Sequence, residues 1–106
     1  MAYIGEGAVQ AFCLCNFLSG GSGLLTSFNV SSVDDSGTGN FEVNFSTAFT
    51  SGDYIVTHGA DLNNHSRGYT VFVEGRTGSE LSLFGVVHSF NSRQDGIFEV
   101  AVFGNQ

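Results

Sequence analysis

The chain has 106 residues, of which 42% are apolar and only 12% charged, with 15 Gly, 11 Phe and no Pro, Trp or Lys. A chain this short holds a single core, with roughly 5,700 Å² of folded surface against about 16,000 Å² unfolded, and its aromatic share and scarce charge exclude a disordered chain. The formal charge of −7, ten carboxylates against Arg67, Arg76 and Arg93, repels phosphate backbones and sets nucleic-acid binding aside.

Residues 1–7 read as a short N-terminal arm, with Tyr3 and Ile4 as its candidate attachment side chains. No basic n-region opens the chain, and the apolar run at residues 11–14 is far below the roughly 20 residues of a membrane span. A soluble protein without membrane insertion, made in a cytoplasm, is expected.

From residue 8 onward the periodicity is that of strands. The first spans 9–17 and carries Cys13 and Cys15 on one face. That spacing suits a disulfide poorly, and no further Cys is present for zinc, so both are expected to be small buried hydrophobes. A Gly-Ser turn at 20–23 leads into a strand over 24–33. Residues 34–39 have turn composition, with Asp34 and Asp35 expected to cap their own backbone. The next strand, 40–45, alternates most clearly: Phe41, Val43 and Phe45 inward, Asn40, Glu42 and Asn44 outward.

After a turn at 50–52, the strand over 53–58 puts His58 in phase with Tyr54 and Val56, so His58 is expected to end a core-facing strand. Strands over 69–74 and 81–88 follow, divided by turns at 61–68 and 75–79, and His88 shares the phase of Phe84 and Val86. Beyond a loop at 89–96, Phe98, Val100 and Val102 occupy one face and Ile97, Glu99, Ala101 and Phe103 the other. A strand apolar on both faces is central in a sandwich or lies at an interface. No stretch offers ten residues of helical period. About seven strands predict one antiparallel β-sandwich or jelly-roll-like domain over 8–106.

Lys and Pro are common guards of exposed strand edges, and both are missing. The edges therefore need a cover: a homo-oligomer, trimer favoured over dimer, or bulges and loops of the chain itself. Ile97 and Phe103 are candidate assembly residues.

The stretch 27–48, Ser-Phe-Asn-Val-Ser-Ser-Val-Asp-Asp-Ser-Gly-Thr-Gly-Asn-Phe-Glu-Val-Asn-Phe-Ser-Thr-Ala, reads as a hairpin with an acidic, Gly-punctuated turn. It resembles a segment recurrent in the C-terminal β-domain of tailed-bacteriophage tail-fibre and related virion proteins: N-V-S-S-V, then D-x-G-T-G, an aromatic-led alternating strand and F-x-T-A. The ending Ala101-Val102-Phe103-Gly104-Asn105 resembles the closing strand of the same proteins, and 9–25 resembles their opening strand and Gly-rich turn. The resemblance implies a virion component, assembled with itself and with other tail or capsid proteins.

Chemistry is thinly represented. No nucleophile elbow, zinc signature, P-loop or dinucleotide fingerprint occurs, and no D-x-D-x-D-G loop supports calcium. No catalytic residue, metal or cofactor is therefore expected. The sequons at Asn29, Asn44 and Asn64 are what an Asn- and Ser-rich chain produces by chance. Polar recognition groups gather in two loops: Asn63, Asn64, His65 and Arg67 in the first, Phe90, Asn91, Arg93 and Asp95 in the second. Loops on a rigid β scaffold are where binding usually resides, and these side chains suit a host-surface glycan or protein. The expected function is a non-enzymatic tail-fibre or receptor-binding tip subunit, with a capsid or tail decoration protein as the alternative.

Overall fold

Nine strands account for the regular structure of the described residues: β1 (Ala11–Asn16), β2 (Gly23–Phe28), β3 (Val30–Gly37), β4 (Asn40–Phe45), β5 (Ile55–Ala60), β6 (Tyr69–Arg76), β7 (Glu80–Val87), the two-residue β8 (Ser92–Arg93) and β9 (Ile97–Phe103). The computed structural model describes residues 9–18, 23–60, 69–87 and 92–104. All pairings are antiparallel: sheet A runs β2-β1-β9-β5, and sheet B runs β3-β4-β7-β6 with β8 beside β7. The two sheets pack face to face as a β-sandwich.

Alternation decides which residues meet between the sheets. Phe41, Val43 and Phe45 of β4 are buried, as are Phe98, Val100 and Val102 of β9. β9 lies at the centre of sheet A, as its two apolar faces require. Cys13 and Cys15 are buried and unbridged. Their mutual hydrogen bond, and then burial, push the Cys13 thiol upward, so it stays protonated.

Aromatic clusters close both ends of the core. At one end the Phe41 ring centroid lies 5.0 Å from that of Phe17 and 4.8 Å from that of Phe98. At the other, Phe45, Phe49 and Tyr54 meet at 4.8–5.6 Å. The accessible surface of 5736 Å² is what the mass predicts for a compact chain.

The expected single strand over 24–33 is two strands in different sheets. The chain crosses from sheet A to sheet B at Asn29, which has φ 55°. Asn tolerates this left-handed conformation better than most residues. Its side chain also locks the corner: Nδ2 donates to the carbonyls of Gln10 (3.2 Å) and Thr47 (3.0 Å), and Oδ1 accepts the Thr47 N–H at 2.6 Å. One residue thus ties the start of β1 and the segment after β4 to the crossing.

The acidic turn is also shorter than its composition suggests. Asp34 and Asp35 belong to β3, and only Thr38 and Gly39 turn. Asp35 does accept the Gly37 N–H, at 3.4 Å, while Asp34 instead accepts Asn44 Nδ2 across the ladder at 3.1 Å. Gly39, with φ 72°, sits so close to β8 that a Cβ there would lie 2.6 Å from the Gln94 nitrogen.

Candidate functional site

The two ends of the sandwich differ in what they carry. Tyr69, where the 61–68 segment rejoins the sheet, pairs with Val87, from which the 88–91 segment departs. Both expected recognition loops are therefore anchored at one end, beside the Thr38–Gly39 turn. The described chain starts at the opposite end, where Gln10 N–H donates to the Val102 carbonyl and Asn29 holds Gln10. Gly104 lies there too, against Tyr54 and Phe49.

Asn63, Asn64, His65 and Arg67 lie outside the described residues, as do Phe90, Asn91, His88, Tyr3 and Ile4 and the rest of the arm. Arg93 and Asp95 are described, and both brace the loop end. The Arg93 guanidinium stacks 4.4 Å over the Phe84 ring, donates to Asn40 Oδ1 and pairs with Glu74 at 3.3 Å. Asp95 Oδ1 accepts the Gly39 N–H at 2.7 Å. The hairpin tip, β7 and β8 are thereby fastened together.

Beneath this brace sits Tyr69. Its ring lies against Gly85 and Gly96, where any Cβ would overlap it, and its hydroxyl donates to the Gln94 carbonyl at 2.8 Å. Burial, then the charges of Asp95 and Asp35, push its phenol well above the ordinary value. Sequence reasoning missed this residue; the glycines on the β7 and β9 approaches were its only signal.

His58 keeps its phase, pairing with Val100, yet it is exposed. The expectation of a core-facing His58 fails: on the edge strand β5 it is exposed, although Val56 and Ala60 of the same phase pack against the core.

The outer surfaces of the two sheets are unlike. On sheet B, Asp34 opposes Glu42 and Glu42 opposes Ser82, while Asn44 donates to Ser32 and Asp34. On sheet A, Phe12 opposes Phe28 and Ala101, Leu14 opposes Thr26 and Glu99, and Ile55 opposes Phe103. Exposure there reaches 40% for Phe12, 52% for Phe28 and 68% for Ile55, and the Phe12 and Phe28 rings stack at 5.9 Å.

An open depression of about 610 Å³ runs over this face, between Phe12 and Val9 on one side and Thr57 and Gly59 on the other. Glu99 is its carboxylate. Ile97 is nearly buried beside Asn16, and Phe103 lies half-buried on this same face. An apolar surface of this kind suits packing against protein; among the described residues, no group of three metal-ligating side chains accompanies it. No family model, curated protein or solved structure matches the chain.

Proposed function

We propose that the chain is a non-enzymatic structural subunit of a tailed-bacteriophage particle, a small tail-fibre or receptor-binding tip that contacts the host surface through 61–68 and 89–96. The observation that carries this reading is the polarity of the sandwich. Both recognition loops are anchored at one end and the arm-bearing start of the chain at the other, so attachment and recognition need not compete for space. The hairpin now formed by β3 and β4 is the segment whose residues resemble virion β-domains, which supplies the biological setting. The apolar outer face of sheet A gives lateral packing within the particle, and that same face favours the second reading, a decoration protein lying flat on a capsid or tail.

Replacing Asn64 and Arg67 together by Ala, in otherwise intact particles, is the test. Host adsorption falls by an order of magnitude or more if these loops bind the receptor; unchanged adsorption overturns the tip reading. Arg93 is a poor probe because its loss would loosen β8. Copy number separates the readings: a few copies per particle mark a fibre, hundreds mark decoration.

A further inference from the structure

Among the described residues, four strands of six or more residues lie at sheet edges, and three of them are bulged. Pairing shifts by a residue at Leu25 in β2, at Ser31 and Ser36 in β3, and at Glu74 in β6. A bulge disrupts the outward row of N–H and C=O groups and twists the edge away from partners. β3 and β6 add charge through Asp34, Asp35, Glu74 and Arg76. β5 is the exception: Ile55-Val56-Thr57-His58-Gly59-Ala60 has no charged residue and no Pro, and it pairs with β9 in unbroken register from Ile55–Phe103 to Ala60–Phe98. No described residue pairs with its outer side.

We propose that β5 is a self-association edge: two copies pair their β5 strands antiparallel about a two-fold axis through Thr57, merging their two sheets A into one continuous sheet. A two-fold contact of this type is isologous, each strand being its own complement. The axis stands perpendicular to the sheet, so outer faces stay outer and only residues of like phase can oppose one another. Centres at Val56 or Gly59 pair only half of each strand, whereas Thr57 and His58 pair nearly all of it.

Centring on Thr57 sets Ile55 opposite Gly59 of the second copy and Val56 opposite its His58. Ile55 is the most exposed large apolar side chain among the described residues, at 68%. Gly59 offers the space for it: the nearest atoms to a Cβ there are those of Glu99, at 3.7 Å. Centring on His58 leaves Ile55 uncovered and sets two imidazoles face to face. Centring on Val56 leaves His58, Gly59 and Ala60 without strand partners. Only the Thr57 register sets the exposed Ile55 in the glycine gap, where the His58 register would put the smaller Thr57, and it extends the apolar outer face across both copies. The pairing goes beyond the proposed function, since it holds whether or not the chain is part of a particle.

Light scattering on the purified full chain tests the assembly, with twice the 11.2 kDa chain mass as the expected result. Thr57→Lys sets two like charges directly opposite each other and is expected to return the mass to that of one chain with the far-UV strand spectrum intact. Thr57→Cys tests the register independently. Opposed Cα atoms in an antiparallel ladder lie about 4.5 or about 5.5 Å apart, both within disulfide reach. Mild oxidation is expected to give a covalent dimer for Thr57→Cys and none for Ile55→Cys. A monomeric or trimeric wild-type mass overturns the proposal, as does a dimer that survives Thr57→Lys or cross-links at Ile55 rather than Thr57. Should Thr57→Lys fail to fold, the two cysteine variants decide the question.

Discussion

Sheets A and B bury the same kind of alternating apolar face, yet their outward faces have little in common. Sheet B turns Ser32, Asp34, Glu42, Asn44 and Ser82 to solvent, joined by cross-strand hydrogen bonds, whereas sheet A turns out Phe12, Phe28, Ile55 and Ala101 around a depression with a lone carboxylate. The apolar pair on the polar side, Phe72 and Phe84, is stacked at 5.3 Å, with Arg93 over the Phe84 ring. A sheet face whose large outward side chains are mostly apolar, while its twin's are mostly polar, suits packing against protein. Burial alone would not have shown this, because the two inner faces are equivalent.

The core beneath both faces should respond most strongly to change. Phe41→Ala removes the ring joining Phe17 of the loop end to Phe98 of β9, and truncations of this kind cost about 3–5 kcal/mol; chemical denaturation should show sheets A and B lost in one transition. Asn29→Ala comes next. It places a Cβ-bearing residue without a local hydrogen-bonding side chain at φ 55° and removes the bonds to Gln10 and Thr47. A loss of about 2–3 kcal/mol is expected from strain and unmade hydrogen bonds. Asn29→Gly should recover the strain portion only.

The two outer faces can be set against each other with paired substitutions. Phe72→Ser breaks the stack with Phe84 and is expected to cost about 0.5–1.5 kcal/mol. Phe28→Ser on the opposite face should stay within about 1 kcal/mol, yet reduce binding of an apolar dye far more than Phe72→Ser does. Equal dye binding by the two variants would remove the distinction between the faces. Arg93→Ala is expected to be smaller still, about 0.5–1 kcal/mol, because its ion pair with Glu74 is half exposed and screened.

Alkaline pH provides a last, graded probe. Burial pushes the Tyr54 phenol up to about 12, with Arg76 pulling it down and Glu80 pushing it up, and its hydroxyl donates to the Glu80 carbonyl at 3.0 Å. Between the ordinary tyrosine value of about 10 and 12 the unfolded chain has released this proton and the folded chain has kept it. Stability is therefore full below about pH 10 and falls as pH rises toward 12. Tyr54→Phe should flatten that decline in a pH series of denaturation midpoints, and Tyr69, raised further, should account for what remains.

The alternation of β4 and β9 is legible from side-chain identity alone, because strand phase is a matter of neighbours two residues apart. The same holds for the hairpin of β3 and β4, whose turn glycine is visible in the chain, and for the burial of Cys13 and Cys15. Asn29 is harder. Its stretch has continuous strand propensity, and only the requirement that β2 join β1 while β3 joins β4 breaks it. His58 misleads for a related reason: phase tells which way a side chain points but not whether anything lies above it. Arg93 and Asp95 have loop composition, yet each is held to the sheet by a partner from a distant part of the chain, Asn40 for Arg93 and Gly39 for Asp95.

What the sequence by itself determined is thus the class of structure, an antiparallel sandwich with its core residues in phase, and the polar character of its candidate loops. Those follow from local alternation and turn chemistry. Tertiary structure decided which strands became edges, which apolar face was left outside, and that the described residues flanking both candidate loops lie at one end. Strand pairing joins residues as far apart as Ile55 and Phe103, and no local preference specifies a partner at that separation; the packing of two faces against one core does.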